Sequence, residues 1–179
     1  MYQIFFINRF TTMNIRPYFH LLAILITLLC YQCKVSLSGA SISPDTKTVS
    51  ITAFTNKATK VYPPLARLMA EELRNNFTNQ TRLDVVANEG DLQFDATITD
   101  YSIRPATLQA QGASQNQLTI AVQVAFINNK EKSKSFEQSF TRFAPFPSTQ
   151  NFNTIEAALA EEVTKLLMQD VLNKAIINW

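Results

Sequence analysis

The sequence has few of the residue types from which most catalytic and metal-binding sites are built. It contains one histidine, two cysteines and three glycines. His20, Cys30 and Cys33 all lie within the first 33 residues. The rest of the chain has no imidazole and no thiol, which excludes Ser-His-Asp and Cys-His catalysis, zinc sites made of His or Cys, and internal disulfides. We therefore expect no enzymatic activity, no metal and no cofactor, and a packed apolar core as the source of stability.

The amino-terminal apolar run is too short to cross a membrane. It covers residues 19–29, roughly half of the ~20 residues that a membrane-spanning helix needs. Arg16 precedes it, and a basic residue before a short apolar run is typical of a secretory signal. Translation from Met1 or from Met13 would leave this pattern unchanged.

Two cysteines follow the apolar run, and a cysteine in that position becomes the lipidated first residue of a bacterial lipoprotein. A small residue is preferred just before it, whereas leucine precedes Cys30 and glutamine precedes Cys33. We favour Cys33, with Cys30 as the alternative, because polar sequence begins just after Cys33. This assigns residues 1–32 to a signal peptide and residues 33–46, which are rich in serine, to a lipidated tether. The competing interpretation is an uncleaved apolar anchor at the amino terminus.

A strong net charge is also lacking. The formal charge of +2 comes from 16 Lys and Arg residues against 14 Asp and Glu residues. Removal of residues 1–32 takes away Arg9 and Arg16, so 16 − 2 leaves 14 basic residues against 14 acidic ones. A neutral domain has no overall basic field of the kind that favours nucleic acid, so no nucleic-acid partner is expected.

Residues 47–179 have the pattern of a single α/β domain. Alternating apolar and polar residues predict strands. These strands fall in residues 48–54, 83–86, 92–98, 118–126 and 135–143. The polar stretch between Arg104 and Asn116 predicts a long hairpin loop or ragged strand ends.

Apolar residues spaced three and four positions apart predict two helices. The first helix opens at Pro63 and Pro64, where a missing N–H costs nothing. The second starts near Asn153, with Glu156 as its capping-box partner, and runs to about Ile176. Its second half is apolar almost all round. That pattern indicates either burial by loops as well as by the sheet, or a partner-binding surface that includes Trp179.

The element order β-α-β-β-β-β-α predicts the α+β class, with two helices packed on one face of a four- to five-stranded mixed, mostly antiparallel sheet. The first strand reaches its neighbour through a helix, so one parallel pair is expected. The opposite sheet face carries Thr, Gln, Asp and small alanines. That face is left free for water or a partner.

Short pieces of sequence, in order along residues 38–179, resemble one known family. The most distinctive are Gly90-Asp91-Leu92-Gln93-Phe94 and Phe136-Glu137-Gln138-Ser139-Phe140. Further pieces lie in residues 38–42, 47–56, 118–124 and 173–179. Together they resemble the lipopolysaccharide-assembly lipoproteins called LptE, in the form found in Bacteroidota.

The resemblance implies a function that composition alone does not give. Members of this family lie in the outer membrane and face the periplasm, where they plug the lumen of the β-barrel translocon LptD. They help to insert lipopolysaccharide into the outer leaflet and to assemble the barrel, and they are not enzymes. The alternative is a lipoprotein subunit that activates a cell-wall enzyme or forms part of a secretion channel.

Lipopolysaccharide carries phosphates, which Lys and Arg side chains bind well. Five basic residues are therefore candidates for contact with it. They are Lys130, Lys132 and Lys134 at a hairpin tip, and Arg104 and Arg142 near other strand ends. The competing interpretation of the lysines is a solvated turn.

Overall fold

The computed structural model describes residues 42–106 and 114–176, which form six strands and two helices. The strands are β1 (Thr48–Ile51), β2 (Thr55–Asn56), β3 (Asp84–Val86), β4 (Leu92–Pro105), β5 (Gln115–Asn128) and β6 (Phe136–Pro147). The helices are α1 (Leu65–Gln80), between β2 and β3, and α2 (Phe152–Ile176), after β6. A short 3-10 turn, Lys132–Lys134, lies in the hairpin between β5 and β6.

All six strands belong to one sheet, in the order β3-β1-β4-β5-β6, with β2 also paired to β4. The predicted fold class is confirmed: two helices pack on a mixed sheet whose long pairs, β4–β5 and β5–β6, are antiparallel. The sheet has six strands rather than the predicted four or five, because the predicted strand at residues 48–54 is replaced by the two short strands β1 and β2. The number of parallel pairs was predicted wrongly, because β1–β3, β1–β4 and β2–β4 are all parallel. After β1 the chain resumes beside β4 as β2, and α1 then returns it to the outer side of β1.

Buried and accessible side chains alternate along the long strands, as expected of a sheet with one face covered by helices. In β5 the even-numbered side chains from Leu118 to Phe126 are buried against the helices. In β4 the register shifts between Ile98 and Asp100, a bulge that keeps Tyr101 on the buried side. The polar stretch predicted as a hairpin loop or ragged strand ends connects two antiparallel strands, since β4 ends at Pro105 and β5 begins at Gln115. Residues 107–113 lie outside the described part of the chain.

Helix α1 begins directly after Pro64, as predicted. The cap predicted for α2 is wrong. Asn151, not Asn153, caps the helix, because its side-chain oxygen accepts a hydrogen bond from the Asn153 N–H at 3.1 Å. Glu156 does not return to the helix start; it accepts a hydrogen bond of 2.8 Å from the Tyr101 hydroxyl.

The second half of α2 is buried by the sheet and by α1 together. Its apolar side chains, Leu167, Met168, Val171, Leu172, Ala175 and Ile176, are all at most 4% exposed. Between them the helix carries polar residues, including Gln169, which exchanges amide hydrogen bonds with Gln80 of α1. The two neighbours explain the wide apolar stripe, so a partner is not needed to cover it. Trp179 lies outside the described residues.

The turn before β4 presses against β1 at Gly90. A Cβ atom at this position would lie 2.5 Å from the Ser50 nitrogen and 2.7 Å from the Leu92 oxygen, both of which are backbone atoms. The Gly90 N–H donates to the Ser50 hydroxyl at 3.2 Å, and its carbonyl accepts from the Asn129 side chain at 3.0 Å. Glycine is required here by the close approach of two backbone segments.

The neighbouring Asp91 joins three parts of the chain. Its carboxylate accepts hydrogen bonds from the N–H groups of Lys47 and Thr48, at 2.8 and 3.2 Å, and pairs with the Lys130 ammonium at 3.1 Å. These partners lower the pKa of Asp91 from 3.8 to about 2, with the hydrogen bond from Lys47 the largest cause. Asp91 thus ties the start of β1 and the β5–β6 hairpin to the start of β4.

We predict that Gly90→Ala lowers the free energy of unfolding by about 1–3 kcal/mol, since the added Cβ must displace backbone atoms rather than a flexible side chain. Urea unfolding of the variant and of wild type measures the loss. Asn88→Ala is the matched control, because Asn88 lies in the same turn and is exposed. Equal stability of Gly90→Ala and wild type would contradict the prediction.

We predict that Asp91 stabilises the fold in a pH-dependent way. Its pKa is depressed in the folded state, so its contribution is complete above about pH 4 and is lost as the pH falls towards 2. The difference in unfolding free energy between wild type and Asp91→Asn should therefore shrink between pH 4 and pH 2. Urea titrations of both proteins across this range measure it, and a difference that stays constant would count against the role of the charge.

Candidate functional surface

The side chains of β4, β5 and β6 that point away from the helices form a polar surface, called here the open face. Strand register places them in rows across the sheet. The rows are Asp95–Ala125–Glu137, Thr97–Gln123–Ser139, Asp100–Ala121–Thr141, Ser102–Thr119–Phe143 and Arg104–Gln117–Pro145. The face has the Thr, Gln, Asp and Ala composition expected from the sequence, and no described helix covers it.

Hydrogen bonds hold the polar groups of the open face in place. The Arg104 guanidinium donates to the Asp100 carboxylate at 2.7 Å and to the Ser102 hydroxyl at 3.1 Å. The Gln123 side chain donates to the Glu137 carboxylate at 3.3 Å. Ala121 and Ala125 lie between these groups, and their short side chains do not project from the sheet. The result is a flat, ordered surface with more carboxylates than cations.

A shallow groove of about 330 Å³ lies at the end of the open face nearest β1. It is lined by Ser50, Thr52, Asn88, Glu89, Gln93, Phe94, Asp95, Ala125 and Ile127. Ser50 and Thr52 donate their hydroxyl protons to the backbone oxygens of Leu92 and Phe94, so neither is poised as a nucleophile. This groove could not be predicted from the sequence, because it depends on the pairing of β1 with β4.

No metal centre is evident in the part of the chain that the structure describes. It contains no group of three or more His, Cys, Asp or Glu side chains that could hold a metal ion. Within the same residues, neither helix is both long and apolar enough to cross a lipid bilayer.

The three candidate lysines lie together at the β5–β6 hairpin, as predicted, but their surroundings differ. Lys130 pairs with Asp91 at 3.1 Å, and Lys134 pairs with Glu131 at 2.9 Å. Lys132 is exposed and has no ion pair among the described residues. Of the three lysines at this hairpin, Lys132 is therefore the most available to bind an external anion.

The two candidate arginines are not brought to the hairpin tip. Arg104 lies at the other end of β4, on the open face, and is bound to Asp100. Arg142 lies on the helix side of β6 and donates two hydrogen bonds to the carboxylate of Asp170 on α2, one of them at 2.8 Å. This partner raises the pKa of Arg142. The five basic residues therefore occupy three separate places on the domain.

One cluster of polar and aromatic side chains was not foreseen from the sequence. The hydroxyl of the buried Tyr101 donates to Glu156, and the Lys60 ammonium lies 3.8 Å from the same carboxylate and 4.5 Å from the Phe152 ring centroid. Burial, and then the hydrogen bond to Glu156, raise the pKa of Tyr101. Tyr101 is buried, so its hydroxyl has a structural role: it links β4 to the first turns of α2 through Glu156.

Comparison with solved structures shows that this fold recurs in bacterial proteins. Protein XCC0632 from Xanthomonas campestris matches with a TM-score of 0.54 and 13% identity, over 77% of this chain and 91% of that one. The hypothetical protein CT253 from Chlamydia trachomatis matches with a TM-score of 0.50 and 8% identity, over 74% and 98%. A minor lipoprotein from Acinetobacter baumannii gives 0.48 and 13%, over 72% and 91%. At these identities the likeness concerns the fold alone.

Sequence comparison gives a more specific result. No curated protein matches the chain. The family model of LptE, described as lipopolysaccharide-assembly, matches residues 46–175, which are well over half of the chain. The match includes every strand and helix that the structure describes, except the last residue of α2. The chain belongs to the LptE family of lipopolysaccharide assembly.

Proposed function

We propose that this protein is a non-enzymatic outer-membrane lipoprotein that plugs an LptD-type β-barrel translocon and helps to assemble it. In this role it supports the insertion of lipopolysaccharide into the outer leaflet. The observation that carries the proposal is the family match over residues 46–175. Residues 1–32 are the signal peptide, residues 33–46 the lipidated tether and residues 47–179 the single folded domain, anchored through Cys33 and facing the periplasm.

The chemistry of the described residues supports a non-enzymatic role. They contain no histidine and no cysteine. The hydroxyls of Ser50 and Thr52 in the groove are engaged with backbone oxygens, and the buried Tyr101 is engaged with Glu156. These hydroxyl groups are therefore not available as nucleophiles.

The open face supports contact with the wall of a barrel. The lumen of a transmembrane β-barrel is polar, and a plug must offer it hydrogen-bonding groups without a large desolvation cost. Thr97, Gln123, Ser139 and Thr141 lie side by side on the open face and offer both donors and acceptors. The carboxylates of Asp95 and Glu137 favour a basic stretch of the partner.

The hairpin tip is the best place for contact with lipopolysaccharide phosphates. Lys130, Lys132 and Lys134 are close together there, whereas Arg104 and Arg142 are each bound to a carboxylate elsewhere. Within this proposal Lys132 makes the main contact, because it has no carboxylate partner to give up. Contacts of Arg104 and Arg142 with lipopolysaccharide stay predictions from the sequence. Each arginine would first have to break its ion pair, with Asp100 and Asp170 respectively.

The central prediction concerns the barrel and the cell surface. Depletion of the protein should reduce the lipopolysaccharide that reaches the surface, and the protein should co-purify with a large β-barrel from gently solubilised outer membranes. Surface lipopolysaccharide is measured by labelling intact cells, and the complex by affinity purification. Recovery of the protein as a lone species, with unchanged surface lipopolysaccharide after depletion, would refute the proposed function.

The same depletion assay identifies the anchor. Cys33→Ser should fail to restore surface lipopolysaccharide and should appear in the soluble periplasmic fraction, whereas Cys30→Ser, its matched control three residues away, should behave as wild type. The reverse result would assign the anchor to Cys30.

We predict that Lys132→Glu weakens binding of purified protein to lipopolysaccharide about tenfold, since a charge-assisted contact of ~1.4 kcal/mol is replaced by repulsion. Surface plasmon resonance on immobilised lipopolysaccharide measures the change. Lys57→Glu is the control, because Lys57 is also an exposed lysine without an ion pair among the described residues but lies just after β2. Equal affinity of both variants and wild type would remove the hairpin tip from the binding site.

A further inference from the structure

The end of the open face nearest β1 carries negative charge that the described residues do not neutralise. Glu89 and Asp95 line the groove at this end, and both are exposed. Neither carboxylate has a hydrogen bond or an ion pair with a residue in 42–106 or 114–176. The groove lining contains no lysine or arginine, and Lys130 in the neighbouring hairpin is paired with Asp91. A cation from outside the domain can therefore approach both acids without displacing one from within it.

Between its acids the groove has an apolar floor. Ala125 lies opposite Asp95 on one side and opposite Glu137 on the other, and the spacing of strands places these two acids ~10 Å apart. Ile127 follows two residues later on the same face of β5, and 47% of it is exposed. A long side chain laid along this floor would cover Ile127 and still bring its end group to a carboxylate.

The backbone beneath the two free acids is fixed before anything binds. Glu89 has a positive φ of 54°, in the left-handed region, and Gly90 after it is pressed against Ser50. The Gln93 side chain also donates to the Gly90 carbonyl, at 3.3 Å. Asp95 lies within β4, which is paired with β5 at this position. An occupant of the groove would therefore meet a surface that has little backbone freedom to lose.

These properties select among possible occupants. An anionic lipid head group would be repelled by the carboxylates. A calcium or magnesium ion takes six or more oxygen ligands, whereas the described residues contain no cluster of three groups that could hold a metal. A lipid tail would desolvate the amides of Asn88 and Gln93, which also line the groove. A cationic group on an aliphatic stem matches both the floor and the acids.

We propose that this groove binds an arginine side chain carried by a basic segment of the barrel partner. The stem of the arginine lies on Ile127 and Ala125, and its guanidinium pairs with Asp95 or Glu89. Arginine fits better than lysine because a guanidinium can form two hydrogen bonds with one carboxylate and is more weakly hydrated. The inference rests on the proposed function, since it specifies the chemistry by which the open face recognises its protein partner.

Photo-cross-linking identifies the occupant. In full-length protein p-benzoylphenylalanine replaces Ile127, cells are irradiated, and the cross-linked peptide is sequenced by mass spectrometry. We expect a peptide of a β-barrel protein that has an arginine at or beside the cross-linked residue. Replacement of Leu166, an exposed residue on α2, is the matched control and should not yield this peptide.

The cross-link also separates failure of this inference from failure of the proposed function. A cross-link to lipid, to a second copy of the chain or to a segment without arginine, or no cross-link at all, would overturn the inference. If the barrel still co-purifies in that case, the proposed function stands and only the groove is wrongly assigned. If no barrel co-purifies, both fail.

A defined peptide tests the role of charge on the purified full-length protein. The probe is a fluorescein-labelled peptide of alternating arginine and valine, and fluorescence anisotropy measures its affinity. The double variant Glu89→Gln, Asp95→Asn should bind it about tenfold more weakly, since each exposed ion pair contributes roughly threefold. Replacement of the arginines of the peptide by lysine should also weaken its binding to wild type.

The matched control is Asp84→Asn with Glu162→Gln. It removes the same charge from two exposed carboxylates that lie on β3 and α2 and have no ion pair among the described residues. This variant should bind the arginine peptide as wild type does. Equal weakening in both double variants, or unchanged affinity in the groove variant, would overturn the inference.

Discussion

A continuous row of phenylalanine rings ties the helical layer to the sheet, and the rest of the structure depends on it. Between ring centroids, Phe77 of α1 lies 5.2 Å from Phe94 of β4. Phe94 lies 4.8 Å from Phe126 of β5, and Phe126 lies 5.0 Å from Phe136 of β6. Large aromatic side chains supply much of the apolar burial in a core, and here no described disulfide or metal adds to it. Because two helices cover only one face of a sheet, this packing leaves the other face and the β6 edge accessible. Those two surfaces are what the domain offers to other molecules.

The sequence predicted the features that depend on local periodicity. The alternation in residues 118–126 identified both the buried side and the open face of β5, and the spacing from Leu65 to Phe77 identified α1. It did not predict the parallel β2–β4 pair or the close contact of Gly90 with Ser50, since both depend on segments that are about 40 residues apart and on their register. For the same reason, the sequence did not show that four of the five candidate basic residues pair with carboxylates, whereas Lys132 has no such partner among the described residues. Asn151 replaced Asn153 as the cap of α2 because either asparagine suits the sequence pattern and only the backbone path decides.

The distribution of charge separates two kinds of contact. The open face has Asp95, Asp100 and Glu137 but, of the cations, only Arg104, which is bound to Asp100. The lysines lie at the hairpin tip, where Asp91 holds Lys130 and leaves Lys132 in solvent. An anionic lipid head group would be repelled by the open face and attracted by the tip. Within the proposed function, the open face therefore suits a protein partner and the tip suits the lipid, and the Asp91 contacts that position the tip also position the start of the sheet.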